Sequence, residues 1–125
     1  GACNFDAISF ENYTAVENLN CRMAEYTKAV VDGRPTFHIS LVVDVSPNCD
    51  CHAENDAPIL PNIGMFASYD LLALDQACVD ACMNATPIRN SQFTNSTPES
   101  EWKTCLSHAE KIGLGSRDYE LITIK

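Results

Sequence analysis

The sequence has no hydrophobic run approaching the roughly 20 residues that a membrane-spanning helix needs, and it has no internal repeat. Basic residues are also scarce. Eight Lys and Arg stand against 17 Asp and Glu, which gives a formal net charge of −9 at pH 7. Phosphate backbones repel so acidic a chain, so we do not expect nucleic acid as a partner. Because no hydrophobic run is long enough to span a bilayer, we do not expect a membrane as a partner either. A complete catalytic set of side chains is lacking too.

The chain begins Gly1-Ala2-Cys3, without an initiator Met. It also lacks the basic region, the apolar region and the cleavage site of a signal peptide. We therefore expect a piece of a longer protein. Its 125 residues, of which 46% are hydrophobic and 20% charged, are enough for one globular domain.

Seven cysteines are present, and an odd number argues against a secreted disulfide framework. Several of them lie within apolar helical patterns, where a free thiol behaves as a small hydrophobic group. Three glycosylation-type triplets begin at Asn12, Asn84 and Asn95, but such short patterns arise by chance. We expect a cytoplasmic location, with secretion as the alternative.

Residues 14–31 have the spacing of an amphipathic helix. Thr14 and Glu17 are placed as a capping box at its start, and Gly33 and Pro35 end it. Its apolar positions recur every three or four residues and form one stripe: Val16, Leu19, Met23, Tyr26 and Val30.

Two further helices are predicted. The first follows Asp70, a good N-cap residue, and runs to about residue 85. The second begins at Thr97-Pro98-Glu99 and ends at Gly113. Its apolar positions are Trp102, Cys105, Leu106, Ala109 and Ile112.

Three segments read as strands: 36–45, about 62–68, and 118–125. The first alternates apolar and mixed positions, and we expect a central strand covered on both faces. The order of elements predicts an α/β fold, with a small mixed sheet of about three or four strands packed with three helices in a single layered domain. Within it, residues 1–8 read as a remnant of an upstream motif and 9–125 as the domain.

The loop after the first strand holds the densest group of metal-ligand side chains. Cys49, Cys51 and His52 lie within four residues, with Asp50 between the thiols. Cys-x-Cys spacing lets both sulfurs approach one zinc or iron ion, with His52 as a third ligand. The alternative is a turn whose Asp and Asn side chains bond their own backbone while the cysteines pack inward.

Other cysteines and histidines offer weaker candidates. Cys78 and Cys82 share one helix face and could complete a metal site, but such a pair is more often core. A Cys–His nucleophile built on Cys51 or Cys49 is also conceivable, although no spacing identifies its histidine among His38, His52 and His108. We expect His38 to be packed or hydrogen-bonded and His108 to lie at a helix edge.

The blocks of sequence that resemble a known family follow one another along nearly the whole chain. Cys3-Asn4-Phe5-Asp6-Ala7-Ile8 resembles the end of a bacterial ferredoxin motif, with Asn4 in place of the usual Pro. Together with the later blocks it is similar to the C-terminal half of the uncharacterised iron–sulfur-centre proteins, a domain of unknown function found around a ferredoxin segment. The later blocks are 18–26, 44–51, 57–68, 74–77 and 110–122.

This resemblance implies a parent protein with two [4Fe–4S] clusters just before Cys3, and it makes Cys3 the last cluster ligand. One cysteine cannot hold a four-iron cluster, so this chain alone is not expected to carry one. The partners implied are the upstream ferredoxin segment and a redox partner protein.

Three functions remain open from the sequence. The first is electron transfer or another redox role with the Cys49–Cys51 loop as its site and Asp50 supporting the ligands. The second is a non-catalytic scaffold or interaction domain that covers the ferredoxin segment. The third is a metal-dependent hydrolase. Whether the chain is an enzyme is left open.

Overall fold

A computed structural model describes residues 15–48, 57–88 and 99–124. These residues form three helices and a two-stranded antiparallel sheet, so the predicted α/β class is confirmed, with fewer strands than expected. None of the described helices is long and apolar enough to cross a bilayer. The elements in chain order are α1 (Ala15–Val31), β1 (His38–Val42), β2 (Gly64–Ser68), α2 (Leu71–Asn84) and α3 (Glu99–Lys111).

The first core lies where α1, α2 and α3 meet. Its fully buried members are Ala24 from α1, Leu72 from α2, and Leu106 and Ala109 from α3. The predicted apolar stripe of α3 faces this core, since Trp102, Cys105 and Ile112 pack against it. Ala24 is small, so α1 can lie close to α3 at this point.

The predicted apolar stripe of α1 does not pack inward. Val16, Leu19, Met23, Tyr26 and Val30 are each at least half exposed. The face of α1 that packs on α3 instead carries small or polar residues. The stripe is apolar, but the described residues provide no surface that covers it.

The second core lies between the sheet and α2. The strands pair with Ile39 opposite Ala67 and Leu41 opposite Met65, and their inner face packs on α2. Four side chains fill the space at the carboxyl end of β1: Val42, Ile59, Leu60 and Cys82.

β1 is covered on one face only, which corrects the expectation of a central strand covered on both. The exposed side of the hairpin, called here the outer face, is apolar. Phe37 and Tyr69 stack edge to face at its end, with ring centroids 5.1 Å apart. Five large side chains of this face are more than half exposed: Phe37, Ile39, Leu41, Met65 and Tyr69. All but the tyrosine belong to residue types that are usually buried.

The predicted closing strand is absent from the described part of the segment, residues 118–124. Its anchoring hydrogen bonds go to helix side chains: Arg117 donates to Gln76 of α2, and Tyr119 donates to Asp80 of the same helix. These contacts hold the segment against the helices, and Leu121, Ile122 and Ile124 remain exposed.

Replacing Leu72 by Ala should lower the free energy of unfolding by about 2–5 kcal/mol. Leu72 is 1% exposed, so the truncated side chain would leave a cavity where the three helices meet. Urea titration followed by circular dichroism measures the change. Leu121→Ala is the matched control, since Leu121 is 61% exposed, and its effect should stay within about 0.5 kcal/mol. Equal losses in both variants would contradict this assignment of the core.

Candidate functional site

The main residues predicted to bind a cluster or a metal lie outside the described residues, so their arrangement stays a prediction. This applies to the cluster-ligand candidate near the start and to the metal-ligand loop: Cys3, Cys49, Asp50, Cys51 and His52. The structure does describe the two segments that bound this loop, residues 43–48 and 57–63.

These two segments are fastened to each other by backbone hydrogen bonds. Ile59 N donates to Val45 O at 2.8 Å, and Ile63 N donates to Val42 O at 2.9 Å. Asp44 has a positive φ of 50°, and its N–H donates to the side-chain oxygen of Asn62 at 2.9 Å. The chain therefore leaves β1 and returns to the same place, so both ends of the loop are fixed.

Cys82 lies in the core beneath these two segments, and Cys78 packs against that core. Burial raises the pKa of both thiols, which keeps them protonated at neutral pH. Both cysteines therefore behave as core residues in the described structure. Among the residues that the structure describes, no group of three or more His, Cys, Asp or Glu could hold a metal ion.

The inner face of the hairpin brings His38 and Ser40 toward Asp75 and Cys78 of α2. His38 is hydrogen-bonded as expected, with Nε2 3.0 Å from Oγ1 of Thr36. Although Asp75 as a residue is exposed, packing around its carboxyl raises its pKa, and the nearby His38 partly offsets this. An activated nucleophile needs a lowered thiol pKa, and Cys78 has a raised one, so this arrangement does not favour Cys78 as a nucleophile. The predicted nucleophiles, Cys49 and Cys51, lie outside the described residues.

A second polar arrangement begins at Asp70, which caps α2. Its Oδ1 accepts hydrogen bonds from Leu72 N at 2.9 Å and Ala73 N at 3.1 Å. Its Oδ2 accepts from Ser116 N at 2.9 Å. The same carboxylate thus starts α2 and holds the loop that follows α3.

Gly115 is required by this contact. A Cβ at residue 115 would overlap the carboxyl group of Asp70, so a side chain cannot be added without displacing it. Gly113 fills a different role, since its φ of 75° and the bond from Leu114 N to Ala109 O form a Schellman turn at the end of α3. The predicted helix end at Gly113 is confirmed.

Hydrogen bonds then continue from Arg117 along α2. Arg117 Nε donates to Gln76 Oε1 at 2.8 Å, and Gln76 Nε2 donates to Asp80 Oδ1 at 2.8 Å. Tyr119 donates its hydroxyl to the other oxygen of Asp80 at 2.8 Å. Gln76 is the buried polar residue of the described core, and this chain of bonds satisfies its amide.

These residues line an open polar cleft of about 530 Å³. Bonding to Asp80 raises the pKa of Tyr119, so its hydroxyl stays protonated and does not serve as a base near neutral pH. The Arg117 backbone N–H also donates to Glu110 at 3.0 Å. The polar groups of this cleft are bound to one another, and these bonds fix Arg117 and Tyr119 on α2 and α3.

Sequence reasoning missed this arrangement as a unit. Asp70 was recognised only as a helix cap, and Gln76 and Asp80 were not singled out. One signal points to it: the block 110–122 of the family resemblance, which contains Ser116, Arg117 and Tyr119. Arg117 and Gln76 are 41 residues apart, so no local spacing connects them.

Polar contacts also join α1 to α3. Nε2 of His108 donates to Oε1 of Glu25 at 3.1 Å, and Arg22 binds the other oxygen of this carboxylate. Bonds from Arg22 and then His108 lower the pKa of Glu25. The contact from Lys28 Nζ to Gly113 O, at 3.1 Å, ties the same helix to the end of α3.

Gly115→Ala should lower the free energy of unfolding by about 1–3 kcal/mol through the overlap with Asp70. The φ of Gly115 is not in the left-handed region, so steric contact is the expected cause of the loss. Asp70→Ser keeps a capping oxygen on a shorter side chain and should relieve the overlap with the new Cβ at residue 115. A double-mutant cycle by urea titration measures the coupling, and additive losses would refute the contact.

Stability should also depend on the charge of Glu25. Because its pKa is lower in the folded chain, its contribution is present above the usual pKa of Glu and is lost as the pH falls through the folded value. Unfolding free energies measured from about pH 7 to pH 3 should fall less in Glu25→Gln than in the wild type. Glu120→Gln, on the exposed final segment, is the control and should follow the wild type.

Comparisons with known proteins give one family and no individual relative. The model of a family described as a domain of unknown function, DUF362, matches residues 5–80, which is more than half of the chain. Neither the curated proteins nor the solved structures give a match. The matched range spans α1, the hairpin, the Cys49–Cys51 loop and most of α2, and the chain belongs to the DUF362 family.

Proposed function

We propose that this domain is a non-catalytic interaction scaffold that packs over the ferredoxin segment of a longer iron–sulfur protein. The observation that carries the proposal is the outer face of the hairpin. A folded domain that leaves five large apolar side chains of one sheet face open has a surface suited to another protein.

Strand pairing and packing on α2 support the backbone beneath the outer face. The two strands are paired over five residue pairs, and their inner face is packed on α2. The backbone positions from which these side chains project are therefore set before any partner binds. A preformed surface loses little conformational entropy on binding, which favours stable association.

The apolar stripe of α1 supplies a second surface of the same kind. Met23 is 53% exposed and Tyr26 is 74% exposed, yet both lie on a helix whose opposite face is firmly packed. Two apolar surfaces on one small domain favour an interaction role over that of an isolated enzyme.

The ferredoxin segment is the occupant that the chain itself suggests. Cys3 stands where the resemblance places the last cluster ligand, twelve residues before Ala15, where α1 begins. A segment joined to the domain by so short a connection has a high effective concentration at its surface. Covering an iron–sulfur cluster with apolar side chains also limits its contact with water and oxygen.

The test uses the longer chain that includes the ferredoxin segment. Replacing Leu41 and Met65 by Thr keeps good strand formers while removing apolar contact from the outer face. We expect cluster absorbance to be lost several times faster in air than in the unmodified protein.

Ile124→Thr is the control for this test, because Ile124 is exposed but lies outside the hairpin. It should leave the rate of cluster loss unchanged. If the hairpin variant keeps its clusters as long as the control does, the outer face does not cover them.

A second candidate function is a redox or metal site at the Cys49–Cys51 loop. It is favoured by the fixed ends of that loop, which are held by the Ile59–Val45 and Ile63–Val42 bonds. The donor set of Cys49, Cys51 and His52 is two thiolates and an imidazole, which both zinc and iron accept. Asp50 would then orient a ligand.

Elemental analysis of the anaerobically purified chain tests this candidate directly. Stoichiometric zinc or iron that is lost in Cys51→Ser and retained in Cys105→Ser would support a metal site in the loop. Cys105 is a matched control because it packs against the helical core. Absence of both metals would reject the metal site and leave the scaffold function.

A further inference from the structure

The apolar stripe of α1 has the spacing of a coiled-coil seam. Its members recur at alternating intervals of three and four residues: Val16, Leu19, Met23, Tyr26 and Val30. This is the alternation of the a and d positions of a heptad repeat. At about 100° per residue, the five positions fall within about 80° of one side of the helix. A helix that packs on the core of its own domain has a wider apolar face, of roughly 100° or more, so this narrow stripe is suited to one partner helix.

The opposite side of α1 is already packed on α3. Ala24 is 3% exposed in the core that the helices share. Glu25 accepts a hydrogen bond from His108, and Lys28 donates to the carbonyl oxygen of Gly113. These contacts hold α1 as a helix within the domain. Pairing along the stripe therefore needs no new helix nucleation, which is what makes short isolated helices unstable in water.

The side chains that flank the stripe are compatible with a second copy of this acidic chain. The flanking positions described on α1 are Asn20, Arg22, Thr27 and Ala29. None of them is acidic, although the sequence has 17 Asp and Glu and a net charge of −9. Two such helices can therefore meet without carboxylates facing each other across the seam. At physiological salt, repulsion between more distant charges is screened over about 8 Å.

We propose that two copies of this chain pair through α1 as a parallel, two-stranded coiled coil. Val16 and Val30 occupy a positions and Leu19 occupies a d position, and β-branched residues at a with Leu at d favour two parallel strands. In this arrangement Met23 of one copy lies opposite Met23 of the other, at the centre of the seam. The pairing uses a different surface from the proposed cover of the ferredoxin segment, so either proposal can fail without the other.

Sedimentation equilibrium of the 125-residue chain under reducing conditions measures this pairing. We expect an equilibrium between monomer and dimer that shifts to the dimer as the concentration rises. Met23→Glu should weaken the pairing at least about tenfold, because it places two like charges opposite each other in the seam. Met23 is 53% exposed in the single chain, so circular dichroism should show that this variant keeps its fold.

Met65→Glu is the matched control, because it makes the same change on the outer face, where Met65 is 69% exposed. It should leave the dimer intact. A chain that stays monomeric at roughly 0.1 mM would overturn the proposal. Equal losses in the two variants, or a loss in Met65→Glu alone, would overturn it too.

A charge exchange tests whether the two stripes face each other. Met23→Lys alone should pair as poorly as Met23→Glu, since each variant repels its own copy. An equimolar mixture of the two variants should recover the dimer, because opposite charges then meet at the centre of the seam. A mixture that remains as monomeric as its components would refute the contact between two α1 helices.

Discussion

The carboxylate of Asp70 is the contact on which the described structure depends most. One oxygen caps α2 at Leu72 and Ala73, and the other binds Ser116 in the turn beyond α3. Two elements far apart in sequence therefore share one charged acceptor, and charge-assisted hydrogen bonds are stronger than neutral ones. The close approach leaves no room for a side chain at residue 115, so the turn and the cap constrain each other.

From this point the packing divides into two small cores joined by α2. Leu72 belongs to the core shared with α1 and α3, while Cys82 belongs to the core under the hairpin. Each core covers only one face of the elements around it. The outer face of the hairpin and the apolar stripe of α1 are consequently left open, and the proposed interaction role rests on these surfaces.

Local sequence signals predicted the features that depend on neighbouring residues. Asp70 caps α2 and Gly113 ends α3 as expected, because capping and left-handed backbone are decided within a few residues. Predictions that depend on packing against a distant element were wrong. The α1 stripe is exposed, β1 is covered on one face only, and residues 118–124 form no strand. The candidate ligands Cys49, Cys51 and His52 remain predictions.

The sequence by itself determined the α/β class, the start of α2, the end of α3 and the excess of negative charge, since each follows from composition or short spacing. Only the tertiary structure decided which faces are buried and which distant polar groups meet. Apolar periodicity shows that a helix or strand has a face to cover, but packing decides what covers it. The bonds from Arg117 to Gln76 and from Tyr119 to Asp80 likewise arise from folding, because no local pattern brings together residues some 40 positions apart.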